Sequence, residues 1–395
     1  MKLYLPSRRG SRRLVAAVLA LSSLGVSLAA PAAPAGQAAL NLRLRYETVD
    51  QDNTLDAAEA LTLRTRLGYR SPSWRHLSGF VEFESVAALT DDYAPETAGA
   101  SVVADPTGSE VNQFGLSATR SGWRATIGRQ RLILDNARWV GNVGWRQNEQ
   151  TFDGLFLRYA GAPAWSFDSA YLSRVQTIKG DTVELRGWLN HLRWQPHPAL
   201  SFVAYADDLD FDAAGATDLL TTGLRASGTA DFGPGLRLGW TGEYARQSAR
   251  TAAADHSASY RLIELSAVLR PLTLRLGGER LGSDAGAFSV QTPLATKHAF
   301  QGWADVFLNT PADGVNDRYL AADAKFGAVK LGATYHVFEA ARSRAAGNDY
   351  GSEIDVCIGA PLMRGLAGLI KAARYDADGF GVDTDKVWLQ LEYQL

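Results

Sequence analysis

From Leu40 to Leu395 the chain keeps returning to strand-length stretches in which every second residue is apolar, with no helical span of membrane length between them. The first reads Leu40-Asn41-Leu42-Arg43-Leu44-Arg45-Tyr46 and the last Val387-Trp388-Leu389-Gln390-Leu391-Glu392-Tyr393-Gln394-Leu395. Successive side chains on a strand point to opposite faces, so each stretch offers one apolar face and one face of Arg, Asn, Gln and Glu. Two architectures use such strands. A soluble sandwich buries the apolar face; a transmembrane barrel turns it to lipid and keeps the charged face for a watery lumen.

The connections favour the barrel. Short ones fall at 70–76, 120–122, 161–163, 195–199, 231–235, 270–272, 327–328 and 361–365, and long ones include 90–109, 132–149, 207–217, 248–257, 282–316 and 341–349. This alternation matches the tight periplasmic turns and longer extracellular loops of outer-membrane barrels, whereas a sandwich has no reason to sort its loops by end. A closed barrel with both termini in the periplasm needs an even strand number. Reading residues 297–308 as a strand gives an odd count and two long connections in a row; reading 300–307 as a loop element or short helix restores the alternation. The expectation is an all-β, antiparallel, up-and-down transmembrane barrel of about 18 strands (16–18), the size class that encloses an aqueous channel. Residues 39–395 form one domain, because no linker or change of period interrupts them.

Ahead of the barrel, Lys2, Arg8, Arg9, Arg12 and Arg13 precede an apolar run from Leu14 to Ala30 and small residues through Ala39. That is the plan of a secretory signal peptide over 1–38, and the paired arginines also fit a twin-arginine signal. A single cysteine, Cys357, can form no intramolecular disulfide even in an oxidising compartment. Without the leader the chain carries 35 basic and 42 acidic residues, net −7, which argues against nucleic acid as a partner. Of the 40 basic residues 33 are Arg, a bias that suits bidentate recognition of carboxylates and that a GC-rich genome would also produce.

Alternation assigns faces. Leu61, Leu63, Val81, Phe83, Trp123, Ile127, Leu155, Leu157, Leu236, Leu238, Trp240, Leu274, Ile354, Val356 and Leu389 are expected to meet lipid. Arg43, Arg45, Glu47, Arg64, Arg66, Glu82, Glu84, Arg124, Arg158, Arg186, Arg225, Arg237, Glu243, Arg275, Glu353, Asp355 and Glu392 are expected to point inward. A lumen lined by both signs selects by charge, although the same residues could pair across strands and only fill polar space. Tyr46, Tyr69, Trp74, Trp165, Tyr171, Trp194, Tyr244 and Tyr393 lie near strand ends and suit girdles at the membrane interfaces.

Catalytic and cofactor motifs are missing: no G-x-S-x-G, no H-E-x-x-H, no glycine-rich phosphate loop, and six histidines without metal spacing. Neither an enzyme nor a cofactor is expected. The acidic run Asp376 to Asp385 has a calcium-loop look, but Phe380 occupies a ligand position and no Glu closes it, so a plain hairpin loop is expected and no metal.

One block is more specific. Gly128-Arg129-Gln130-Arg131 is followed by Asp135-Asn136-Ala137-Arg138-Trp139-Val140-Gly141-Asn142-Val143-Gly144-Trp145-Arg146-Gln147-Asn148-Glu149-Gln150-Thr151-Phe152-Asp153-Gly154. It resembles the signature of the alginate-export family of bacterial outer-membrane barrels, as do Gly302 to Leu320 and Val329 to Glu339 more loosely. The resemblance implies a monomeric barrel of the outer membrane, placed by the insertion machinery and surrounded by lipid. It also implies a polar pore for an anionic polysaccharide or small anionic solutes, with an arginine-rich constriction. Arg129, Arg131, Asn136, Arg138, Asn142, Trp145, Arg146, Asn148 and Glu149 are the candidate constriction residues, with Arg43, Arg45, Arg64, Arg66 and Arg124 on the wall. Loop 131–149 is expected to fold into the lumen and meet 300–307 within the 283–316 loop; the alternative is a surface loop that satisfies its own backbone. A general or anion-preferring uptake porin, and a barrel enzyme or plugged adhesin, are the competing readings.

Overall fold

The computed structural model describes residues 36–395, apart from 214–216, 234, 252 and 346. Nearly all of the expected signal segment lies outside the described residues, and the first strand already begins at Gln37.

The strands are β1 (Gln37–Gln51), β2 (Ala58–Arg70), β3 (Leu77–Asp92), β4 (Gly108–Arg120), β5 (Trp123–Gln130), β6 (Thr151–Ala162), β7 (Trp165–Gln176), β8 (Thr182–His197), β9 (Leu200–Phe211) and β10 (Asp218–Phe232). After them come β11 (Leu236–Arg250), β12 (Asp255–Leu269), β13 (Leu272–Leu281), the two-residue β14 (Ser283–Asp284) and β15 (Phe288–Ser289), β16 (Val315–Phe326), β17 (Val329–Glu339), β18 (Asp349–Met363), β19 (Leu366–Ala377) and β20 (Thr384–Gln394). All but β14 and β15 form one 18-stranded antiparallel sheet, closed where Asn41–Gln51 of β1 pairs with Thr384–Gln394 of β20. Closure leaves no edge, which hydrocarbon requires because it offers unpaired backbone groups no water. Every expected short connection lies at one end of the barrel and every long one at the other. Residues 300–307 belong to no strand, and the helical content of their loop is one 3-10 turn at Lys297–Ala299.

The barrel is inside-out by the standard of a soluble protein. Ile263 is 68% and Leu276 59% exposed, whereas the Arg64 side chain is 1% exposed. Aliphatic rows open to the surroundings over buried arginines make sense when the surroundings are lipid. Tyr69, Trp74, Trp123, Trp165 and Trp194 stand outward near the short turns, and Trp188, Tyr244 and Tyr335 stand outward nearer the long loops. These are two aromatic belts.

Two expected inward arginines face outward. On β8, Leu185, Leu189 and His191 are buried in the interior, and Arg186 lies on the opposite face beside Asp210. The cause is what fills the barrel at this height. Leu132, Leu134, Trp139 and Val140 from the β5–β6 loop, with Val290, Leu294 and Phe307 from the β15–β16 loop, form an apolar core against Leu185, Leu189, Val203, Tyr205, Tyr260 and Phe338 of the wall. On β8 that core takes Leu185 and Leu189 inward, and strand alternation then turns Arg186 out. Arg129 is the second case: it sits opposite Phe114 on β4, its guanidinium 6.0 Å from that ring, and pairs with Asp153 at 2.7 Å on the outward face.

Candidate pore site

The two inward loops bind each other before they bind the wall. The Gly141 N–H donates to Leu294 O at 2.8 Å, the Thr296 N–H to Ala137 O at 3.0 Å, and Gln150 Nε2 to Leu294 O at 3.0 Å. A Cβ on Gly141 would collide with the Thr296 side chain, and one on Gly302, whose φ is 79°, with the Glu353 carboxylate. Glycine is required at both places because backbone passes close to another element.

Residues 132–140 make an apolar foot. The Trp139 indole donates to Tyr205 Oη at 2.8 Å and Glu243 Oε1 at 3.0 Å and meets the Tyr260 ring edge-on at 5.1 Å. Arg138 pairs with Glu279 at 2.8 Å and lies 4.6 Å from the Phe300 ring. At the tip, Asn136 Oδ1 accepts the Arg138 N–H at 3.2 Å, and Asp135 receives Arg193 at 3.1 Å and Arg225 at 2.9 Å.

Residues 142–149 make a charged foot on β1–β4 and β20. Arg43 Nη1 donates to the carbonyls of Gly144, Trp145 and Arg146 at 3.2, 3.1 and 3.3 Å, and Arg45 Nη2 to Trp145 O at 2.6 Å. Arg146 reaches Glu47 at 3.0 Å and Asp305 of the second loop at 2.9 Å. Glu149 is held by Asn142 at 2.8 Å, Asn112 at 2.6 Å, Arg131 at 2.5 Å and Arg66 at 3.6 Å, while Arg66 also pairs with Glu84 and Arg131 with Glu82. Asn148 Nδ2 donates to Pro106 O at 2.9 Å. The Trp145 ring lies 4.0 Å from the Arg45 guanidinium and 4.2 Å from Lys371 Nζ, and stacks on His298 at 4.7 Å.

Candidates Arg43, Arg45, Arg66, Arg138 and Arg146 are thus buried, with their guanidinium groups engaged by carboxylates and loop carbonyls. Arg64 donates to Asn41 Oδ1 at 2.5 Å and Glu392 at 3.3 Å but leaves Nε and Nη1 without a protein partner. Arginines with exposed side chains on the inward face continue along the wall from β5 to β10: Arg124 on β5, Arg158 on β6, Arg193 on β8 and Arg225 on β10, the last three 51, 42 and 22% exposed. Arg193 is absent from the sequence candidates because placing Arg186 inward turns position 193, of opposite parity, outward. The outward Trp188, Leu192 and Trp194 carry the parity that identifies it.

Where the second loop meets the wall, His298 bridges two charges: its Nδ1 lies 2.7 Å from Asp305 Oδ1 and its Nε2 2.6 Å from Lys371 Nζ. A lysine donating to Nε2 requires the neutral ring with its proton on Nδ1. Burial pushes the His298 pKa down to about 3 against the pull of Asp305. Burial opposes the charge on Asp305, yet His298, Lys386 and Arg146 together hold its carboxyl well below the usual carboxylate range.

No curated protein matches the sequence. Among solved structures the chain is similar to Acinetobacter baumannii OccAB4 (TM-score 0.72, 15% identity, 91% of this chain and 98% of that one). It is similar also to Pseudomonas aeruginosa OccK9 (OpdG) (TM-score 0.73, 17% identity, 91 and 98% covered) and Pseudomonas aeruginosa OpdL (TM-score 0.71, 17% identity, 91 and 98% covered). At such identities the likeness is one of fold, a closed barrel with loops at one end. The sequence profile described as "Alginate export" matches residues 38–268, more than half of the chain. With that match and its barrel, the chain is an outer-membrane channel that belongs to the alginate-export family.

Proposed function

We propose that the protein is a passive outer-membrane channel for anionic solutes, carboxylates above all, moving down their gradient past the accessible arginines of the β5–β10 wall. The observation that carries this reading is the distribution of exposure: Arg158, Arg193 and Arg225 keep 51, 42 and 22% of their side chains exposed, the last two while also pairing with Asp135 of loop 131–149, whereas Arg43 and Arg45 are buried and donate to carbonyls of that loop. A guanidinium fork in a narrow, partly dehydrated passage holds a carboxylate through two N–H groups and repels cations. The test is the reversal potential of single channels in a planar bilayer under a KCl gradient. Anion preference is expected, and Arg158→Gln/Arg193→Gln/Arg225→Gln should move the potential toward zero; cation preference in the unmodified channel would sink the reading.

A second reading, export of an anionic exopolysaccharide such as alginate, draws on the family. The packed loops favour short solutes over a polymer, and the general or anion-preferring uptake porin is the small-solute form of the proposal. Block of chloride current by oligouronates that lengthens with chain length would favour the polymer; block by monouronate alone would favour small solutes. Zero conductance from correctly folded protein would instead favour a plugged barrel with another role.

A further inference from the structure

Arginines on the outward face toward the long-loop end fall into two sets. Arg129, Arg174, Arg186, Arg250, Arg318 and Arg374 each pair with a carboxylate: Asp153, Glu184, Asp210, Asp255, Glu339 and Asp376. Arg246, Arg261 and Arg280, on the adjacent strands β11, β12 and β13, form no ion pair with the described residues. Arg261 and Arg280 stand directly opposite each other in the β12–β13 register. Like charges in direct cross-strand register destabilise a sheet unless something of opposite sign lies between them.

The donors are only partly used. Arg280 Nη1 donates to Asn316 Oδ1 at 3.1 Å, Arg246 Nε to Ser257 Oγ at 2.7 Å, and Arg261 lies 6.0 Å from the Tyr244 ring. Toward the short-turn end the same outward face continues as a broad aliphatic strip, Ile263, Leu265, Leu276 and Leu320, all highly exposed. Basic groups therefore cap hydrocarbon-facing surface at the level of the outer leaflet's headgroups.

We propose that this patch binds the phosphorylated headgroup of an outer-leaflet lipid, with phosphate oxygens between Arg261 and Arg280, Arg246 at the flank, and the acyl chains along Ile263, Leu265, Leu276 and Leu320. A phosphate offers each guanidinium two oxygens and converts the repulsive pair into a shared ion cluster. The strip supplies the reason for a lipid and not a soluble anion.

The test is native mass spectrometry of the full barrel in detergent with bisphosphorylated lipid A and with the same lipid dephosphorylated. At least tenfold stronger retention of the phosphorylated form is expected, lost in Arg261→Gln/Arg280→Gln and kept in Arg174→Gln/Arg186→Gln. Single variants Arg261→Gln and Arg280→Gln carry the same comparison if the double variant does not insert. In lipid-free detergent Arg280→Gln should unfold at a temperature no lower than the parent, because it removes a repulsion, and should gain less than the parent from added lipid A. Equal retention of both lipids, retention unchanged in the Arg261/Arg280 variants, equal loss in the Arg174/Arg186 variant, or displacement of the lipid by inorganic phosphate at equal concentration would each overturn the proposal.

Discussion

The β5–β6 loop stands on two feet, and they are held by different physics. Residues 132–140 sit in an apolar core with Tyr205, Tyr260 and Leu189, whereas 142–149 sit among Arg43, Arg45, Arg66, Glu47 and Asp105, where Arg146 and Glu149 are each held by more than one charged group. The first foot is held mainly by shape and area, which salt and pH barely touch, with ion pairs only from Asp135 to Arg193 and Arg225 and from Arg138 to Glu279. The second depends on every charge being answered, and fails when one is removed. One loop thus joins a greasy wall to an ionic one across the lumen.

The largest effect should come from removing both feet at once. Deleting 137–148 is expected to raise single-channel conductance severalfold; unchanged conductance would mean that the loop does not narrow the pore. Next come single changes that separate the feet. Trp139→Ala should weaken loop docking by about 3–5 kcal/mol, read as faster amide exchange over 132–140 and insensitive to ionic strength. Arg146→Ala should cost a similar ~3–5 kcal/mol because Glu47, Asp105 and Asp305 are left without it. The two differ in rescue: Arg146→Met combined with Glu47→Gln should recover much of the loss, and no polar partner change should rescue Trp139→Ala.

A smaller effect is expected on acidification. His298 is neutral in the docked loop, with its pKa pushed down to about 3, and an undocked histidine titrates near 6.5. The undocked state therefore binds the extra proton first, so docking is at full strength above about pH 6.5 and weakens as pH falls toward 3, by about 2 kcal/mol at pH 5. Conductance or open-channel noise should rise between pH 7 and 5, and His298→Gln should flatten the profile. The smallest effect belongs to Arg186→Gln on the outer face, about 0–1 kcal/mol in unfolding experiments with unchanged ion selectivity. A selectivity change there would contradict the outward placement.

The barrel was legible because its information is local: a period of two, short turns against long loops, and an even count that makes 300–307 a loop. Arg43, Arg45, Arg64 and Arg66 alternate with leucine and threonine, so their inward face could be read directly. Arg186 and Arg129 could not be read that way. An inward charge needs water or a buried partner, and on β8 the space is taken by Leu132 and Trp139, some fifty residues earlier in the chain, so the inward places go to Leu185 and Leu189. The Asn-, Gln- and Trp-rich composition of 131–149 signalled an inward loop, but its bond from Gly141 to Leu294 joins segments that no spacing connects. For the same reason Arg43, Arg45, Arg66, Arg138 and Arg146 read as solute ligands, when their distances make them anchors of the loop.

The apolar core has a consequence for opening. If the 131–150 loop swung out as a unit, Leu189, Tyr205 and Tyr260 would be stranded against water inside the pore, a penalty that no solute passing through could offset. Wide excursions are therefore closed to this channel. Any smaller motion falls to the ionic half, where salt, and protons through His298 of the neighbouring loop, act on one end of the strap while the greasy end stays moored.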